Sequence, residues 1–127
     1  MPKKNILIID DEENFARLVK LNLEATGNFE AMVLTSSKDL LLTLRHFKPD
    51  LILLDLLMPE IGGLEVCDIL NDDEIGRKVP VIILSALDKM ADKSNAYKKG
   101  AVDYLVKPVE TEELISRIDK VLQSRYG

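Results

Sequence analysis

Five short runs of almost uninterrupted Ile, Leu and Val recur along the chain: Asn5–Ile9, Glu30–Leu34, Leu51–Leu54, Val81–Leu84 and Val102–Val106. A strand with one wet face alternates apolar and polar residues. A strand covered on both faces does not, because side chains pointing either way must be buried. Runs of this kind therefore demand helices above and below one sheet. The intervening segments supply them. From Glu13 to Ala25 the apolar residues Phe15, Leu18, Val19 and Leu23 fall at helical spacing, and Gly27 offers a stop. Ser36 and Asp39 stand where an N-cap and a third helical position would precede Leu40–Phe47, and Pro49 closes that element.

Gly62-Gly63 introduces a third helix over Leu64–Leu70, and the polar stretch Asn71–Lys78 leads into the fourth strand. Met90–Lys99 is the poorest helical pattern, with little beyond Met90, Ala91, Ala96 and Tyr97 to bury before Gly100. Glu110–Ser124 is the best, with Leu114, Ile115, Ile118, Val121 and Leu122 on one face. The acids Glu110, Glu112 and Glu113 lie at its electropositive start. A fivefold β-α alternation with short loops gives an α/β fold, and right-handed crossovers place helices on both faces of a parallel sheet. No repeat, low-complexity tract or linker divides the 127 residues, so one domain over 1–127 is expected.

Composition removes several functions. A net charge of −5 disfavours direct binding to nucleic acid or an anionic membrane. The lone Cys67 excludes an intrachain disulfide and a cysteine-rich zinc site, and the lone His46 excludes a multi-histidine one. Cys67 reads as a small core filler, and His46 as a residue suited to the negative end of its helix. No apolar stretch approaches the roughly 20 residues needed to span a bilayer. A cytoplasmic setting is expected.

The residues that break these patterns share one place. Asp10 and Asp11 follow the first strand, Asp55 ends the third, Ser85 ends the fourth and Lys107 follows the fifth. In a parallel sheet all carboxyl ends lie along one edge, and ligands bind where strand order reverses. In a flavodoxin-like order 2-1-3-4-5 that point lies between strands one and three, which brings Asp10, Asp11 and Asp55 together. Two unit charges at about 4 Å repel by about 4 kcal/mol at an effective dielectric of 20. Such a trio retains a proton or binds a cation, and all-oxygen donors that leave room for water suit Mg²⁺. Asp55 interrupts an apolar strand at the mouth of this cleft, where a carboxylate without a task would be costly. It is the best candidate for a nucleophile toward phosphorus, with Lys107 and Ser85 to neutralise and bond phosphoryl oxygens.

The segments Ile-Leu-Ile-Ile-Asp-Asp-Glu (6–12), Pro-Asp-Leu-Ile-Leu-Leu-Asp-Leu-Leu-Met-Pro-Glu-Ile-Gly-Gly-Leu-Glu (49–65), Val-Ile-Ile-Leu-Ser-Ala (81–86) and Gly-Ala-Val-Asp-Tyr-Leu-Val-Lys-Pro (100–108) resemble the receiver domain of two-component response regulators. The likeness runs over essentially the whole chain. It implies a flavodoxin-like doubly wound (βα)5 three-layer sandwich with a five-stranded parallel sheet of order 2-1-3-4-5. Asp55 would accept a phosphoryl group from a phosphohistidine on a sensor histidine kinase or a histidine phosphotransfer protein. Asp11, Asp55 and the Leu57 carbonyl would hold Mg²⁺ directly, with Asp10 acting mainly through water. Lys107, its bond to Pro108 cis, would hold the phosphoryl group. Ser85 would then move toward the new oxygens and Tyr104 into the space it leaves. The helix 4–strand 5–helix 5 face would in turn bind a downstream effector, and a homodimer formed on phosphorylation is within the family's range.

Departures from the family pattern are small: apolar Leu57 lies two residues after the acceptor, and Val109 replaces a common aromatic. No output domain is expected within 1–127, so the chain acts through other proteins or as the receiver portion of a longer one. It is not expected to be an enzyme beyond catalysing its own phosphorylation and dephosphorylation. A phosphohydrolase of the haloacid-dehalogenase type would space its two aspartates differently and carry a cap. A flavin or nucleotide module would need a glycine-rich first loop where this chain has Asp-Asp-Glu-Glu. A scaffold indifferent to phosphorylation would have no use for an intact acceptor site.

Overall fold

The apolar runs pair as β1 (Lys4–Ile9), β2 (Phe29–Leu34), β3 (Leu51–Leu54), β4 (Val81–Ser85) and β5 (Asp103–Val106) in a computed structural model that describes residues 2–127. The helices are α1 (Glu13–Ala25), α2 (Leu40–Phe47), α3 (Gly63–Asp72), α4 (Met90–Lys98) and α5 (Thr111–Tyr126). Every pairing is parallel and the order is β2-β1-β3-β4-β5, so the doubly wound topology expected from the sequence is the observed one.

Strand residues sort by parity, as the period of two requires. Leu7, Ile9, Ile52, Leu54 and Ile83 pack against α2, α3 and α4 through Leu40, Leu44, Val66, Leu70 and Ala96. Ile6, Ile8, Leu51, Leu53, Ile82 and Leu84 pack against α1 and α5 through Val19, Leu23, Leu114, Ile118 and Leu122. Both faces are therefore covered, which accounts for the continuous apolar runs. Cys67 is buried in the first of these layers, where desolvation pushes its thiol up to about 11. That fits a core filler and leaves no reactive thiolate near neutral pH. Val109 packs on the α1–α5 side.

Ser36 is not the cap of α2. The helix begins at Leu40, flanked by Asp39, and the Ser36 hydroxyl instead accepts the Lys38 N–H at 3.3 Å in a local turn. The polar stretch before β4 holds a 3₁₀ turn at Gly76–Lys78, organised by Asp73, whose carboxylate accepts the N–H groups of Ile75 and Gly76. Helix α5 starts one residue later than expected and runs to Tyr126, with Glu110 as the flanking residue. His46 does lie in the last turn of α2. Among the described residues, no helix is long and apolar enough to cross a membrane.

Helix α4 buries Ala96 and leaves Met90 81% exposed, while α5 buries Leu114, Ile118 and Leu122. Its C-terminal end is tied to α3 by Lys99, which reaches Asp68 and accepts from Asn71. Local opening follows the density of buried apolar contacts. Amides of residues 90–96 should therefore exchange at least about tenfold faster than those of the buried turns of α5. Equal protection by hydrogen-exchange mass spectrometry would contradict this account of α4.

Candidate functional site

The sheet ladder itself carries the site residues to one edge. The register pairs Ile9 with Leu54. One step on, the Asp55 N–H donates to Ile9 O and the Asp10 N–H to Leu34 O, each at 3.0 Å. Across the sheet Ser85 pairs with Val106, and the Lys107 N–H donates to Ser85 O at 2.8 Å. Four of the five residues singled out by sequence are thus held by backbone hydrogen bonds at the carboxyl ends of the strands. Asp11 stands in the adjoining β1–α1 loop.

Asp10, Asp11 and Asp55 each present a carboxylate oxygen within 4.8 Å of the others. Asp10 and Asp55 are buried, at 2% and 3% exposure, while Asp11 is open to solvent. Lys107 is the counter-charge. Its Nζ donates to Asp10 Oδ2 at 2.8 Å and to Glu12 Oε1 at 3.0 Å, and lies 3.5 Å from Asp55 Oδ2. The ammonium also sits 4.2 Å from the centre of the Phe15 ring, whose face attracts a cation. Burial pushes the Asp10 carboxyl above its ordinary range, although Lys107 and the Glu12 N–H pull it down. Burial works against the Lys107 ammonium too, yet its bonds to Asp10 and Glu12 prevail and hold it above the ordinary lysine value.

The remaining oxygens of the acid pair are fixed by backbone. Asp10 Oδ1 accepts the Glu12 N–H at 2.9 Å, and Asp55 Oδ1 accepts the Leu57 N–H at 3.2 Å. Leu57 leaves its side chain about half exposed beside Asp55. Behind Asp55, Gly63 lets the first turn of α3 press on the β3–α3 loop, its N–H bonded to Leu56 O at 3.1 Å. Ser85 is fully buried, and its hydroxyl accepts the Leu87 N–H at 3.3 Å. Tyr104 is buried as well, its phenol donating to Leu87 O at 2.6 Å. Both residues thereby engage the β4–α4 loop through the same peptide neighbour. The Lys107–Pro108 bond is cis.

This donor set fits a small, hard divalent cation: three carboxylates, one of them open to solvent, with no soft ligand among them. Sequence reasoning missed Glu12 and Phe15 as partners of Lys107. Helical periodicity assigned Phe15 to the core, and nothing in the spacing shows that Glu12 turns back toward strand five.

The family model of the response regulator receiver domain matches residues 6–119. The chain is 39% identical over 123 residues to the DNA-binding dual master transcriptional regulator RpaA of Synechocystis sp., covering 97% of this chain and 50% of that protein. It is 34% identical over 120 residues to the alkaline phosphatase synthesis transcriptional regulatory protein PhoP of Bacillus subtilis, covering 94% and 49%. The chain thus spans about half the length of the curated relatives it matches. Among solved structures, the receiver domain of Francisella response regulator 1452 superposes with a TM-score of 0.86 at 33% identity, over 96% of this chain and 98% of that one. The chain belongs to the response regulator receiver family.

Proposed function

From that membership and the geometry of the acid cleft, we propose that the domain takes a phosphoryl group onto Asp55 from a phosphohistidine of a sensor histidine kinase or a histidine phosphotransfer protein. The observation that carries the reading is the convergence of three carboxylates with Lys107 at the strand ends. An Asp55 carboxylate oxygen attacks phosphorus. The new O–P bond forms as the P–N bond breaks, and the imidazole nitrogen of the donor leaves and takes up a proton. The hydrogen bond from the Leu57 N–H to Asp55 Oδ1 orients the carboxylate, leaving Oδ2 on the Lys107 side.

Asp11, Asp55 and the Leu57 carbonyl would hold Mg²⁺, with Asp10 acting mainly through water, and the ion would supply positive charge to the phosphoryl oxygens. Lys107 keeps its position at the cleft and turns its ammonium from the acids to the phosphoryl group. The domain catalyses only its own phosphorylation and dephosphorylation.

The switch runs through Ser85 and Tyr104. Both touch Leu87, so a hydroxyl drawn toward a phosphoryl oxygen releases the Leu87 N–H and disturbs the carbonyl that Tyr104 holds. The lightly anchored α4 adjoins this loop, and Arg117 of α5 grips Asp103 of β5 at 2.8 Å. The α4–β5–α5 face accordingly changes shape for a downstream effector or a second phosphorylated copy. The acidic domain itself makes no direct nucleic-acid contact, and its setting is cytoplasmic.

Incubation with acetyl phosphate and Mg²⁺ should add one phosphoryl group by intact mass. Asp55→Asn and a chelated sample should gain none. Uptake by Asp55→Asn would move the acceptor elsewhere. No uptake by the native chain, together with no beryllofluoride binding, would leave a receiver that signals without phosphorylation.

A further inference from the structure

At the edge of the sheet farthest from β5, β2 and α2 leave a groove of about 460 Å³ lined by Met32, Leu34, Leu42, Thr43 and Phe47 together with Asp39 and His46. Leu42 is 59% exposed on its rim, and Leu41 and Met32 are exposed beside it. Asp39, which flanks the start of α2, precedes Leu42 and His46 of the helix by three and seven residues, so the three stand in line from the cap along α2, and all three are exposed. An acid stands at one end of the stripe, an imidazole at the other and a leucine between them.

Such a stripe is complementary to itself when reversed. A two-fold axis through the middle of α2 sets two copies of the helix antiparallel, with Asp39 of each facing His46 of the other. It also brings Leu42 of each copy to the groove of its partner. Added strands are a poor alternative occupant of this edge. The outward N–H of Ala31 is already taken by Glu24 at 3.1 Å, and its carbonyl by Lys20 at 2.7 Å, so α1 closes part of the β2 edge with its own side chains.

We infer that the β2–α2 face is a self-association surface that joins two copies of this chain through antiparallel α2 helices, with Asp39 and His46 exchanged across the axis. A contact built on one eight-residue helix is small beside the ~800 Å² per partner of a standard interface, so association belongs to high concentration. It lies across the sheet from β4 and β5, and so it needs no phosphoryl group.

Sedimentation equilibrium of the unphosphorylated chain from about 10 µM to about 1 mM tests it. Native protein should show a monomer–dimer equilibrium, and Leu42→Glu should weaken it at least about tenfold. Asp39→Lys and His46→Glu should each weaken it about fivefold, and the double exchange should recover most of the native affinity. These positions are exposed, and circular dichroism checks that each variant folds. Three results each overturn the inference: a native chain monomeric at about 1 mM, a Leu42→Glu dimer of native strength, or a double exchange no better than its singles. None of them bears on Asp55, whose chemistry is read by mass.

Discussion

Replacing Gly63 with alanine is expected to destabilise the domain by about 2–3 kcal/mol and to lower phosphoryl uptake with it. The cause is a close approach of backbone to backbone. A Cβ at residue 63 would run into the Asp55 carbonyl oxygen, come within 2.7 Å of Leu56 Cα and within 2.9 Å of Leu56 Cδ2. The leucine tip can move, but the two backbone atoms belong to the segment that aims Asp55 into the cleft. Relief requires α3 to lift from the β3–α3 loop, which would lose the Gly63 N–H bond to Leu56 O. Alanine gains roughly 0.4–1 kcal/mol from a less flexible unfolded chain, which is too little to offset the overlap.

The neighbouring glycine is the control. At Gly62 a Cβ meets only Leu56 O at 3.5 Å, an ordinary contact, so Gly62→Ala should stay within about 0.5 kcal/mol of native. Urea midpoints of the two variants decide the matter. Equal stabilities would show that the close packing around residue 63 does not constrain the fold.

Gly63 also shows where reading residues reaches its limit. The parallel sheet was legible because burial on both faces erases strand alternation, a property of each segment taken alone. The acid cleft was legible for a related reason. Once the strands run parallel, residues at their carboxyl ends must share an edge, and Asp10, Asp55, Ser85 and Lys107 do. Features that depend on how elements lean on one another were not. Two adjacent glycines look alike in sequence, and only the seat of α3 on the β3–α3 loop separates them.

Glu12 stands in the sequence only as one acid of the first loop, yet its carboxylate turns to Lys107, 95 residues away. Ser36 satisfies a capping rule but lies in a turn that spends its hydroxyl before the helix begins. The common placement of Ser85 and Tyr104 on Leu87 likewise follows from the path of the β4–α4 loop, which no local pattern specifies.

Lys107→Met is expected to cost about 3 kcal/mol near neutral pH and little in mild acid. The native ammonium is nine-tenths buried and faces two carboxylates buried deeper still, Asp10 at 2.8 Å and Asp55 at 3.5 Å. Methionine keeps an unbranched apolar stem beside Phe15 and removes the charge, so two buried acids confront each other without a cation. Burial already holds the Asp10 carboxyl above its usual range, with Lys107 opposing; without Lys107 it rises further.

A carboxyl whose folded value is raised binds its proton more tightly in the folded state. Stability is therefore fully present below the unfolded value, near 3.8, and is lost as pH rises through the folded one. The deficit of Lys107→Met should open across that window and be widest at neutral pH. Mg²⁺ should narrow it, because an ion bound among the acids does the work of the missing ammonium. At ten times its dissociation constant, a ligand of the folded state adds about 1.4 kcal/mol. Urea unfolding over a pH series, with and without Mg²⁺, measures both effects. A deficit independent of pH and untouched by Mg²⁺ would mean that Lys107 stabilises the domain through packing and not through the charge it sets against Asp10 and Asp55.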